Sequence, residues 1–190
     1  MHVSLRRTPG RCVRGFTVVE LMVAIAVAAI LLVIAVPSFT NAINSNRLKS
    51  TANTLIGSLK AARMAAVQRN LGVQFCSNST ASNTSDALGT ACGTNAGAVF
   101  AQPSPSSTTA IPLQVSPSEL SISSIQIHGN IAAIRFNGQG LGFAPGASTP
   151  FSGVVADICS TSLSTSNHIQ VNMAAGGSVI TTTPSTGACP

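Results

Sequence analysis

Residues 14–37 read RGFTVVELMVAIAVAAILLVIAVP, and the fold follows from what such a stretch is able to do in water and in lipid. From Phe16 to Val36 it runs for 21 residues with one charge, Glu20. At 1.5 Å per residue a helix of that length crosses a bilayer core of about 30 Å. A carboxylate inside a membrane segment costs about 2.5–3.5 kcal/mol on insertion scales, so Glu20 is expected to be kept because a cation pairs with it.

Upstream, Arg6, Arg7, Arg11 and Arg14 crowd the first fifteen positions. Arginines on this side hold the leading segment in the cytoplasm, and Gly15 offers a protease no side chain to clear. An ordinary secretory signal would have an unbroken apolar centre and a small-residue cleavage site behind it. Here Glu20 breaks the stretch near its start, and Thr8-Pro9-Gly10 after the paired arginines fits a twin-arginine signal poorly.

Downstream, Pro37 removes a backbone donor, which predicts a kink or a locally melted turn. Ala52, Leu55, Ile56, Leu59, Ala62 and Ala66 then recur at helical spacing, with Asn53, Lys60 and Gln68 on other faces, so the helix resumes. It is expected to stop near Asn70 and Leu71, with Gly72 as C-cap and Lys60, Arg63 and Arg69 toward the negative end of its dipole. A helix over 16–70 would be about 80 Å long. Beyond it, short apolar runs at 73–76, 98–102, 111–115, 120–127, 131–136, 154–158, 168–173 and 178–182 alternate with Ser, Thr, Gly and Pro, as in an antiparallel sheet laid on a helix. The polar stretches 77–91 and 102–109 read as surface loops.

The segment Arg14-Gly15-Phe16-Thr17-Val18-Val19-Glu20-Leu21, followed by the apolar run and Pro37, resembles the class III signal of type IV prepilins and type II secretion pseudopilins. More loosely, 135–142 (RFNGQGLG) and a final hairpin at 169–182 resemble the domain of GspH/FimT-like minor pilins. The resemblance implies an α+β, type IV pilin-like fold: leader 1–15, helix 16–70 with its membrane-spanning part at 16–36, and a β-rich domain at 71–190. It implies cleavage by a prepilin peptidase after Gly15, methylation of Phe16, and assembly through Glu20 and Pro37. The freed amine of one subunit would neutralise Glu20 of its neighbour, turning two costly groups into a pair that sets the axial stagger.

The resemblance further implies a non-catalytic subunit of a type II secretion pseudopilus or type IV pilus, at or near the tip. It would sit in the bacterial inner membrane with its globular domain in the periplasm, then pass into the filament. Its partners would be other pilins, the peptidase, the inner-membrane assembly platform and lipid. DNA-binding FimT-like relatives carry a glycine-arginine-x-arginine pattern in the last hairpin, where this chain has Gly177-Ser178-Val179-Ile180. A DNA-uptake role would fall to Arg135, Arg63 and Arg69 instead; a third alternative is a membrane-anchored periplasmic protein without a filament.

Composition narrows the function classes. Net charge is +6, but after the leader six basic residues face four acidic ones, so the basic balance argues little for nucleic acid. Trp and Tyr are absent, leaving no strong stacking platform for bases and an aliphatic core. Cysteines stand at 12, 76, 92, 159 and 189 without a C-x-x-C pair. Once Cys12 leaves with the leader, three pairings of the other four are open, the simplest by proximity being Cys76 with Cys92 and Cys159 with Cys189. Only His128, His168, Asp86, Glu119 and Asp157 could serve a metal outside the anchor, too few and too scattered, so no metal and no cofactor are expected. No G-x-S-x-G elbow is present, and the glycines at 138, 140 and 142 lack the helix a phosphate loop needs, so no enzyme is expected. Asn78-Ser79-Thr80 and Asn83-Thr84-Ser85 match the glycosylation triplet, as chance allows in so polar a loop.

Overall fold

The computed structural model describes residues 15–104 and 106–190; the leader expected at 1–15, Cys12 included, lies outside the described residues except for Gly15. The chain divides into two units, Met1–Thr40 and Asn41–Pro190. One helix, α1 (Val18–Arg69, 52 residues), begins in the first and ends in the second.

In the first unit α1 is long and apolar enough to cross a membrane, and none of its most apolar window is buried within the protein. Val19, Met22, Ile30, Leu31, Val33 and Phe39 all stand more than half exposed. Apolar side chains displayed on every side of a helix call for lipid or other helices as their surroundings. The helix runs without interruption through position 37, so the melted turn expected there is not found.

In the second unit Leu48, Ala52, Leu55, Leu59, Ala62 and Ala66 are buried, a stripe with steps of four and three that keeps one face against the sheets. The buried hydroxyls of the stripe are satisfied locally: Thr51 donates to the Arg47 carbonyl at 3.0 Å and Ser58 to that of Thr54 at 3.2 Å. The helix ends at Asn70, whose φ of +50° is left-handed. The Leu71 and Asn70 amides close back on the carbonyls of Ala66 and Val67 at 3.3 Å each, a Schellman arrangement. The expected Gly72 cap is thus corrected to Asn70, a residue type that tolerates the left-handed region.

Two antiparallel sheets replace the single one expected. The first contains β1 (Val73–Phe75), β2 (Val99–Ala101), β3 (Ile111–Gln114), β5 (Ile134–Phe136) and β6 (Gly142–Phe143), in the order β3-β2-β1-β5-β6. The second contains β4 (Ile125–Ile127), β7 (Gly153–Ser160), β8 (His168–Ala174) and β9 (Ser178–Thr181), in the order β4-β7-β8-β9. Their inner faces and the helix stripe form one apolar core, including Phe75, Phe136, Ile134, Ile158, Val171 and Met173. Two readings are corrected. The stretch 77–91 contains helices α2 (Thr80–Asn83) and α3 (Ala87–Cys92), and the run at 120–127 starts inside a 3-10 turn, Ser118–Ser121.

The sheets are stitched together where backbone meets backbone. The Gly142 amide donates to the Gly176 carbonyl at 2.7 Å, Gly176 to Phe151 and Phe151 to Gly142, each at 2.8 Å, closing a ring of three hydrogen bonds. Gly176 has φ +68°, and a Cβ there would stand 2.8 Å from the Gly142 oxygen. Only glycine fits both the conformation and the approach.

Candidate functional site

The anchor begins with a short hydrogen-bond motif. The Glu20 amide donates to Thr17 Oγ1 at 3.2 Å, so Thr17 caps the first turn of α1 and Glu20 sits three residues on. Thr-x-x-Glu at a helix start is the capping-box pattern, in which the hydroxyl satisfies an orphan donor. The Glu20 side chain is exposed in the first turn, where the helix dipole favours negative charge. Thr17 was not singled out from the sequence, although the four-residue pattern carries the signal. Gly15 and Phe16 precede it as exposed residues outside the helix.

The cations proposed for nucleic acid are for the most part engaged within the fold. Arg135 on β5 places Nη1 2.6 Å from Asp86 Oδ2 and Nη2 3.0 Å from Asp86 Oδ1, and its Nε donates to Gln74 Oε1 at 3.2 Å. Hydrogen bonding to Arg135 lowers the Asp86 pKa, against partial burial which raises it, while the Gly89 amide lowers it further. Asp86 is also the N-cap of α3, accepting from Gly89 at 2.9 Å. Gln74, fully buried on β1, passes the chain of bonds inward: its Nε2 donates to the backbone oxygen of Asn83 at 3.1 Å. Asn83, itself fully buried, accepts from the Ser77 amide and donates to the carbonyls of Ser77 and Gly93. Arg135 is therefore part of a polar network that fastens the 77–97 excursion to the first sheet.

Arg63 donates to the Gly177 carbonyl at 3.0 Å, tying α1 to the turn between β8 and β9. Arg69 stands exposed in the last turn of α1. Arg135 has both terminal nitrogens engaged within the fold, whereas Arg63 is exposed and commits one of its nitrogens to Gly177. The burial of Asn83 also removes it as an acceptor for a bulky modification. The turn after β5 is held by Asn137, whose Oδ1 accepts from the amides of Gln139 and Leu141, both at 3.0 Å. That leaves those amides committed to the turn.

Cys76 is bonded to Cys92, enclosing α2 and α3, and Cys159 on β7 is bonded to Cys189, bringing segment 184–190 onto the second sheet. His168 on β8 faces Asp157 at 3.1 Å, and the ring of His128 stands edge-on to it with centroids 5.2 Å apart. Among the described residues no group of three or more His, Cys, Asp or Glu side chains is arranged to hold a metal ion.

A long helix, apolar and unburied at its start and packed by its second half on antiparallel sheets, with a capped glutamate just behind a glycine, defines a pilin-like subunit. Residues 10–36 match the prokaryotic N-terminal methylation motif, and residues 51–177 match the family model described as type II transport protein GspH. The second match spans about two thirds of the chain, and the protein belongs to the GspH family. It is accordingly a pseudopilin or minor pilin of the type II secretion class, in a family whose members are structural subunits that assemble with other pilins, and its apolar helix is a membrane anchor. No curated protein and no solved structure gave a match.

Proposed function

We propose that this protein is a minor subunit of a type II secretion pseudopilus, cut after Gly15 by a prepilin peptidase, methylated on Phe16, and drawn into the filament through Glu20. The observation that carries the reading is the position of Glu20. It is the single charge of the exposed apolar stretch 16–36, one turn behind the proposed new N-terminus. In lipid that carboxylate is costly, and the α-amine liberated by cleavage on a neighbouring subunit is the cation best placed to offset it. The globular unit would then face the periplasm, since the arginine-rich leader stays cytoplasmic. The peptidase, the inner-membrane assembly platform and the other pilins are its proposed partners, and a place at or near the tip is the proposed position in the filament.

The test is the N-terminus of the protein recovered from cells with and without prepilin peptidase. Intact mass is expected to show a chain starting at methylated Phe16 in the first case and at Met1 in the second. The same mass in both would sink the reading and leave a membrane-anchored protein without a filament. Disulfide-trapped crosslinks between the helix regions of this chain and co-expressed pseudopilins would separately report incorporation.

A further inference from the structure

The two disulfides differ in what solvent can reach. Cys76 and Cys92 are both fully buried, whereas Cys159 is buried but its partner Cys189 is part-exposed. The segment that carries Cys189 has no apolar anchorage of its own, since residues 183–188 are all exposed. It is held by hydrogen bonds. Ser185 exchanges both backbone bonds with His168, at 2.9 and 3.0 Å. Gly187 donates to Asn167 Oδ1 at 3.0 Å and accepts from Asn167 Nδ2 at 2.9 Å. Thr186 Oγ1 accepts from the Ser166 amide at 2.9 Å, and the Ala188 carbonyl faces His168 Nε2 at 3.1 Å. Beneath it Asn167 and His168 are each only 5% exposed, and Gly187 sits so close that a Cβ would stand 3.1 Å from the imidazole.

We infer that the Cys159–Cys189 bond is a reducible latch: a dithiol opens it ahead of Cys76–Cys92, and segment 184–190 then leaves the sheet, baring Asn167 and His168. A thiolate of the dithiol attacks Sγ of Cys189, the less buried cysteine of the pair, forming a mixed disulfide and expelling the Cys159 thiolate, which takes a proton from solvent. The second thiol of the reductant then attacks the mixed disulfide, freeing Cys189 and leaving the reductant as its own disulfide. Two electrons pass to the cystine. The segment leaves because water replaces its remaining bonds as it lifts, while seven residues regain backbone freedom. The Cys76–Cys92 pair has no such exit, because both cysteines are fully buried in a cluster with Ala98 and Phe100.

The experiment treats full-length protein in detergent with limiting dithiothreitol, quenches aliquots with iodoacetamide and maps the alkylated peptides, with hydrogen exchange followed in parallel. Cys159 and Cys189 are expected to be alkylated about tenfold or more sooner than Cys76 and Cys92. The amides of Ser185 and Gly187 should lose protection in step with that opening, while those of β1 and β5 keep theirs. Equal rates for the two pairs, or earlier opening of Cys76–Cys92, overturns the inference. Survival of protection at Ser185 and Gly187 after Cys189 is alkylated overturns it too. A Cys189→Ser chain gives a second reading without reductant: the same two amides should already exchange freely.

Discussion

Arg135 on β5 grips Asp86 at the head of α3 with both arms of its guanidinium, at 2.6 and 3.0 Å, across 49 residues of sequence. Behind this pair the buried Gln74 and Asn83 carry the same network under the Cys76–Cys92 loop. The arginine that a nucleic-acid reading would want on the surface is the one that holds an irregular segment to the sheet.

Replacing Arg135 by Gln should therefore loosen the loop. With the ion pair partly exposed, the pair itself contributes about 0.2–1 kcal/mol, and the loss of a partner for buried Gln74 adds about 1–3 kcal/mol. Urea unfolding of the full chain in detergent measures the sum. An unchanged midpoint would show that the network is ornamental.

The same contact has a pH signature. The Asp86 pKa is lowered in the folded protein, by Arg135 first. A lowered carboxylate contributes stability that is full above its unfolded pKa of about 3.9 and is lost as pH falls through the lower folded value. Thermal scans from pH 6 down to pH 2 should show the wild type losing more on acidification than Asp86→Asn, which lacks that group. Parallel curves for the two proteins would contradict the assignment.

Glu20→Ala is expected to abolish incorporation into the filament while leaving the globular unit as stable as before, because the residue stands exposed in the unit Met1–Thr40. Thr17→Val removes the cap seen at 3.2 Å and should cost the first turn about 1 kcal/mol, with a milder assembly defect. Filament pulldown and thermal unfolding, run on the same preparations, separate the two effects; equal assembly by wild type and Glu20→Ala would falsify the amine-pairing account.

At the junction of the sheets Gly176→Ala meets two penalties, a left-handed φ of +68° and a Cβ 2.8 Å from the Gly142 oxygen. The backbone ring through Gly142, Phe151 and Gly176 must then open, and a loss of about 2–4 kcal/mol is expected. Gly129→Ala, also at positive φ but with nothing within 4 Å of the added carbon, is the control and should cost only the conformational part.

Removing the first disulfide by a double Cys76→Ser, Cys92→Ser change should cost about 3 kcal/mol in the loop-entropy account. Denaturant titration under oxidising conditions reads it directly. A shift of a few tenths would mean that the Asn83 and Arg135 bonds hold the loop unaided.

What residues alone determined was everything periodicity and covalent chemistry control. The apolar run at 16–36 and the resumed stripe of Ala52, Leu55, Leu59, Ala62 and Ala66 repeat with a helical period, and the run at 168–173 is long enough to read as a strand, so these elements were legible. Where the pattern is too short to repeat, it was silent. The two-residue β6 and the four-residue α2 have no period, and the division into two sheets depends on which edges meet. Asn70 rather than Gly72 ends the helix because the chain must turn left-handed at the residue where the two closing bonds form, a choice settled by where β1 starts. Only the tertiary structure assigned Arg135 to Asp86 and Arg63 to Gly177, since a guanidinium on a strand or helix looks the same in sequence whether its partner is a phosphate, water or a carbonyl 114 residues away.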